Sequence, residues 1–176
     1  MKFVPLRLSG AYLIEPDLIK DERGFFARTF CREEFLSNSL ITSLEQCSIS
    51  YNHKKGTLRG MHYQQIPHGE VKVVRCTQGA IYDVIVDLRS DSSTFKYWES
   101  VELTAENRKM LYIPEGVAHG FQTLQDNTEV FYQISNKYVP LAARGVRWND
   151  PQLRIEWPMA PSVISDRDKL YEDFIV

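Results

Sequence analysis

Residues 80–88 read Ala-Ile-Tyr-Asp-Val-Ile-Val-Asp-Leu, and their period of two limits the fold more than any other stretch of the chain. Ile81, Asp83, Ile85 and Asp87 share one face of a strand, and Tyr82, Val84, Val86 and Leu88 share the other. Val71 to Cys76, Met110 to Ile113 and Glu129 to Ser135 carry similar strand signatures, and Gly79 and Asp126-Asn127 supply turn chemistry between them. Helix signals are few. Cys31 to Leu36 predicts one short helix, and Ser165 to Phe174 a second, with Ser165 as N-cap and Asp166 and Asp168 in its first turn. Many short strands at regular spacing predict a mainly β barrel or jelly roll with a few short helices. A chain of 176 residues is expected to form one domain, 1–176, large enough to bury a real core.

The global balance excludes several functions. Net charge is −2, which favours neither nucleic acid nor an anionic membrane as partner. Apolar runs are short and broken by Asp or Arg, so no segment is expected to span a bilayer. The first residues, Met1 to Arg7, have no apolar signal core. Cys31, Cys47 and Cys76 are an odd, scattered set and read as reduced thiols of a cytoplasmic protein.

Several polar residues stand where a β core would want apolar ones. Period two places Gly60, His62 and Gln64 on one strand face, which suits a pocket wall better than a packed core. A hydrogen-bonded structural histidine is the competing reading of His62. Strict alternation sends Arg59 to the opposite face, and it reaches the same pocket only through a bulge or kink at Gly60. Lys72 alternates with Val74 and Cys76; an ammonium there is either a snorkelling edge residue or a pocket cation. Tyr132 shares a face with Val130 and Ile134, where a core aromatic is the commoner role. Asp83, between Ile81 and Ile85, needs a partner, and His62 and Lys72 are the candidates. Residues 21–30, Asp-Glu-Arg-Gly-Phe-Phe-Ala-Arg-Thr-Phe, combine arginines suited to phosphate with aromatics suited to a stacked base, or else form an exposed strand with snorkelling cations.

The stretch Pro114-Glu115-Gly116-Val117-Ala118-His119 resembles the second histidine motif of the cupin β-barrels, and His62 falls where the first motif keeps its first histidine. That motif normally runs His-x-His with a nearby Glu. Here Gln64 replaces the second histidine and Glu70 is displaced, so no metal or other cofactor is expected. Further stretches extend the likeness: Asp21-Glu22-Arg23-Gly24-x-Phe26, Gly56 to Gln64, Lys72-Val73-Val74-Arg75, Gly79 to Val84, Ile113 to Phe121, Trp148-Asn149-Asp150-Pro151, and Ile164-Ser165-x-Arg167-Asp168. Together they resemble the dTDP-4-dehydrorhamnose 3,5-epimerase family from about Asp21 to Asp168.

The resemblance implies a cupin jelly roll (double-stranded β-helix), a homodimer, and a metal-free enzyme acting on a nucleotide-linked 4-keto-6-deoxyhexose. It implies His62 as base, Asp168 as the group that holds it with Asp83 nearby, Tyr132 as acid on the opposite face, and Lys72 as stabiliser of the enolate oxygen. Arg23, Arg59 and His119 would contact the diphosphate or the sugar, and Tyr138 would stack on the base. Phe26, Arg28, Gln46 and Ser48 fall among the family's ligand contacts. Three positions depart from its pattern: Arg28 stands where Glu is common, Gln46-Cys47-Ser48 replaces Gln-x-Asn, and Ala143 replaces an acidic residue. Inversion at C3, at C5 or at both stays open. So do three other readings: a cupin sugar 3,4-ketoisomerase, a metal-dependent oxygenase using His62, Glu70 and His119, and a sugar-binding cupin without catalysis.

Overall fold

A computed structural model describes residues 1–174. Two antiparallel sheets pack face to face as the jelly roll expected from the strand spacing. In chain order the strands are β1 (Lys2–Pro5), β2 (Tyr12–Glu15), β3 (Ile19–Asp21), β4 (Gly24–Phe26), β5 (Gln46–Asn52), β6 (Thr57–Gln64), β7 (Lys72–Gln78), β8 (Ala80–Asp87), β9 (Trp98–Thr104), β10 (Met110–Ile113), β11 (Val117–Thr123), β12 (Thr128–Ile134), β13 (Ala143–Gly145) and β14 (Val163–Ile164). Helix α1 (Arg32–Ser37) follows β4, and α2 (Asp166–Lys169) follows β14. One sheet runs β1-β2-β10-β7-β12-β5; the other runs β13-β6-β11-β8-β9, with β14 added in parallel to β6. Strands β3 and β4 pair only with each other.

The two faces read from β8 separate as expected. Ile81 and Ile85 enter the cluster between the sheets with Val74, Leu111, Phe121 and Val130. Val84 and Val86 face outward under Val146, Leu153 and Ile155. A third cluster, with Phe35 of α1 over Val71, Val73 and Tyr112, covers the outer face of the other sheet. Gly79, at φ 75°, and Asn127, at φ 53°, take the left-handed conformation in the turns β7–β8 and β11–β12.

Helix α2 is shorter than the sequence suggests. Ser165 caps it as expected, its hydroxyl accepting from the Asp168 N–H at 3.1 Å. The helix nevertheless ends at Lys169, and the chain beyond it turns back so that the Phe174 N–H reaches the buried Asp150 carboxylate. Tertiary pairing therefore outweighs the helical propensity of residues 171–174.

Strand β6 carries the irregularity on which the interior depends. His119 pairs with His62, but Phe121 pairs with Arg59, so β6 spends one more residue than β11 over the same span. This is a β-bulge. Gly60 sits within it at φ 128°, and a Cβ there would collide with the Gly120 Cα. Only glycine tolerates both the conformation and the approach. The bulge turns Arg59 and His62 to the same side, while Met61 joins the outer cluster.

Candidate active site

A cavity of about 350 Å³ opens between the sheets. His62 and Gln64 reach it from β6, His119 and Phe121 from β11, Lys72 from β7, Tyr132 and Ile134 from β12, and Gln46 and Ser48 from β5. His62 and Tyr132 thus belong to facing sheets and reach the cavity from opposite sides.

His62 is held from behind. Its Nε2 lies 2.7 Å from Asp168 Oδ1, and Asp168 Oδ2 accepts the Gly60 N–H at 3.2 Å. Pairing of β14 with β6 brings α2 to this point, so the strand bearing the histidine also docks the helix bearing its carboxylate. Burial works to raise the Asp168 pKa, but the hydrogen bond and charge of His62, the Gly60 N–H and the Ser165 cap outweigh it and hold the carboxyl below its usual range. The Tyr171 ring stands edge-on to the imidazole, 5.9 Å between centroids.

Asp83 has a different partner from either candidate suggested by the sequence. Its Oδ1 lies 2.5 Å from His119 Nε2, and both residues are buried. Strands β8 and β11 are neighbours, so residues on their common inner face meet diagonally, whereas His62 lies one strand further away. Burial pushes the Asp83 carboxyl upward against the opposing pull of His119 and Lys72. The His119 ring stands T-shaped to Tyr132 at 6.0 Å. Burial, reinforced by the Asp83 charge and opposed by Arg59, raises the Tyr132 phenol well above its usual range.

Lys72 is a buried pocket cation: its Nζ lies 3.0 Å from Glu70 Oε1 and donates to the His62 carbonyl at 3.3 Å. Arg59 donates from Nε to Asn52 Oδ1 at 2.7 Å and borders the cavity, which the bulge makes possible. Tyr138 lies at the rim, half exposed, its N–H donating to Gln46 Oε1 at 3.0 Å.

Three expected site residues lie away from this cavity. Arg23 and Phe26 are on the β3–β4 hairpin, which joins neither main sheet; Arg23 pairs with Asp21, and Phe26 is 68% exposed. Arg28 pairs with Glu34 of α1 at 3.5 Å. Arg144 and Arg167 line the wall without having been singled out. The adjacency of Arg167 to Asp168 was the available signal. No group of three or more His, Cys, Asp or Glu side chains is arranged to hold a metal among the described residues.

A jelly roll whose cavity faces an Asp-backed histidine and a partly buried tyrosine across two sheets has the equipment of a cupin-type sugar epimerase. A family model described as dTDP-4-dehydrorhamnose 3,5-epimerase matches residues 5–175. The dTDP-4-dehydrorhamnose 3,5-epimerase of Shigella flexneri is 39% identical over 99% of this chain and 97% of its own length. The crystal structure of the Bacillus anthracis dTDP-4-dehydrorhamnose 3,5-epimerase, with TDP and pyrophosphate bound, superposes with a TM-score of 0.95 at 40% identity, covering 98% of this chain and 99% of the other. A 3′-monoepimerase from Streptomyces bikiniensis in complex with dTDP-quinovose gives 0.90 at 35% identity, over 97% and 86%. The chain belongs to the dTDP-4-dehydrorhamnose 3,5-epimerase family and is a nucleotide-sugar epimerase of deoxysugar biosynthesis.

Proposed function

We propose that this enzyme, as one domain, inverts C3, C5 or both in a dTDP-linked 4-keto-6-deoxyhexose. The observation that carries the reading is the placement of His62 and Tyr132 on facing sheets around one cavity. Carbons beside a C4 ketone bear acidic hydrogens. His62, held by Asp168, removes one; the electron pair moves onto the ketone oxygen as an enolate, and the Lys72 ammonium stabilises that charge. Tyr132 returns a proton to the opposite face of the same carbon, and the ketone re-forms. A second cycle at the other flanking carbon needs no new group. Arg59 and His119 would bind the sugar or diphosphate, Gln46, Ser48 and Tyr138 the nucleotide end.

Arg23, Phe26 and Arg28 enter this reading only through a second copy. The β3–β4 hairpin stands apart from both sheets with Ile19, Phe25 and Phe26 exposed, and β5 leaves Ile49 exposed on a sheet edge. A homodimer in which the hairpin closes the partner's cavity would cover this surface and give these residues a ligand. A cytoplasmic location fits the three free cysteines. Among the described residues no helix is long and apolar enough to cross a membrane.

Solvent deuterium exchange into a panel of dTDP-, GDP- and CDP-linked 4-keto sugars, read by NMR and mass, tests the reaction and the substrate together. Exchange beside the ketone in the dTDP sugar is expected, and its absence from the whole panel would refute the proposal. Light scattering is expected to give twice the chain mass; a monomer would remove the role given to Arg23, Phe26 and Arg28.

A further inference from the structure

Gln64 stands where a metal-binding cupin keeps its second histidine, Glu70 is the displaced glutamate that follows it, and the two are bonded to each other. Glu70 uses Oε1 to hold Lys72 Nζ at 3.0 Å and Oε2 to accept from Gln64 Nε2 at 3.0 Å. The Gln64 amide is itself fixed: the two N–H groups of Nε2 are shared among Glu70 and the carbonyls of His68 and Lys137, each of these carbonyls at 3.1 Å, and Oε1 accepts the Val139 N–H at 2.7 Å. Gln64 is 3% exposed, so its amide has no alternative partners in solvent. Side chains of Lys72 and Glu70 are each 10% exposed.

The donor count gives this arrangement its meaning. An ammonium has three N–H groups. One points to Glu70 and one to the His62 carbonyl, which leaves one for the cavity. A lysine reaches its target over four rotatable bonds, so an untethered ammonium would sample many positions. Oxyanion stabilisation depends on a donor already in place when charge develops. The Glu70 charge itself opposes a neighbouring enolate, so its benefit must come from geometry.

We infer that Glu70, anchored by Gln64, is a positioning residue that aims the Lys72 ammonium at the enolate oxygen. The inference rests on the role proposed above for Lys72. An amide in place of the Glu70 carboxylate cannot do the same work. In Glu70→Gln the amide oxygen could still accept from Lys72, but the new NH₂ would then face the NH₂ of Gln64, and two donors repel.

A double-mutant cycle with Glu70→Ala, Lys72→Ala and the pair tests this, with Glu70→Gln alongside. The probe is the dTDP-linked 4-keto-6-deoxyhexose, with kcat and KM measured separately and melting temperature recorded for each variant. Glu70→Ala is expected to lower kcat ~10- to 100-fold, less than the full loss of an oxyanion donor, and to change KM by about twofold or less. Glu70→Gln is expected to fall with it. The pair should be no slower than Lys72→Ala alone, because a residue that acts through the lysine has nothing to add once the lysine is gone. A purely structural role would instead multiply the two losses. Multiplied losses, or a Glu70→Ala effect confined to KM, would overturn the assignment while leaving Lys72 in place. A Lys72→Ala variant with normal kcat would overturn both the lysine's role and the clamp.

Discussion

Replacing His62 by Ala and Tyr132 by Phe should stop the reaction at different points. His62 and Tyr132 reach one cavity from facing sheets, so in the proposed mechanism each serves only one face of a flat enolate. His62→Ala removes the base. No C–H bond breaks, and exchange and inversion should fall together by ~10²- to 10⁴-fold, the usual worth of a positioned base. Asp168 is then left buried without its imidazole, yet its carboxylate keeps the Gly60 N–H and its backbone N–H keeps the Ser165 cap, so folding should survive. Tyr132→Phe deletes one hydroxyl and keeps the ring against His119. A tyrosine is protonated at neutral pH at its ordinary pKa, and burial raises this phenol further, so the proton to be returned to carbon is present. Its loss should slow inversion by ~10²-fold or more, while the enolate still forms and takes deuterium back through His62, with exchange reduced about tenfold at most. Both variants are compared in D₂O on one substrate, with NMR reading exchange and configuration at each carbon. Equal loss of exchange in the two variants would show that the tyrosine is needed to form the enolate, and the two-face assignment would fall.

Three further outcomes follow from the geometry. Asp87 is fully buried; burial raises its carboxyl, but hydrogen bonds from Arg89, Ser92 and Thr94 outweigh this and bring it to about 2. Its folded pKa lies below the unfolded value, so it contributes about 2 kcal/mol that is complete above pH 4 and lost as pH falls towards 2; Asp87→Asn should flatten acid denaturation in that window, and an unchanged profile would refute this. Gly60→Ala would force a Cβ against Gly120, so thermal denaturation should show a loss of ~1–3 kcal/mol and activity should fall as the bulge shifts Arg59 against His62; a stable, active variant would mean that β6 relaxes freely. Dialysis against chelator should leave activity intact, because Gln64 and Glu70 are committed to each other and to Lys72; activity lost to chelator and restored by one metal would contradict it.

The sequence carried the fold through local signals and the site through fewer. Alternation in residues 80–88 separates two hydrophobic clusters in the structure, because a strand buried on both faces must supply each of them. The strand Met110–Ile113 lies where its apolar run places it, since each of its residues is buried. Long-range partners were harder. Asp83 gives no sign in sequence of whether β6 or β11 lies beside β8, so its pairing with His119 had to come from strand order. Arg59 depended on one extra residue in β6, which Gly60 permits but does not announce. Glu70 looked like a failed metal ligand because a motif frame assigns a role by register, whereas its actual role depends on Lys72 two residues later and on a glutamine amide fixed by backbone of residues 137–139. The end of α2 was lost for the same reason: a contact with Asp150 stops a helix that propensity would extend.

Each carboxylate near the cavity is spent on a neighbouring base or cation. Asp168 is bound to His62, Asp83 to His119 and Glu70 to Lys72, and neither Asp168 nor Asp83 belongs to the cavity wall. The wall also carries Arg59, Arg144 and Arg167, and none of these three is ion-paired with a carboxylate among the described residues. The whole chain has a net charge of −2, so this positive lining is a local feature and not a reflection of composition. A nucleotide diphosphate sugar entering such a cavity is drawn by charges at the rim, where salt screens them, and its ketose reacts beside charges deeper in, which salt screens far less. Raising ionic strength from about 10 mM to about 150 mM, where the screening length shrinks from ~30 Å to ~8 Å, should therefore raise KM several-fold and leave kcat nearly unchanged. Arg144→Ala and Arg167→Ala should each reduce that salt dependence. A kcat that falls with salt while KM stays fixed would place the exposed charges in the chemical step and not in capture, contrary to a division of labour between the arginines at the wall and the tethered Lys72.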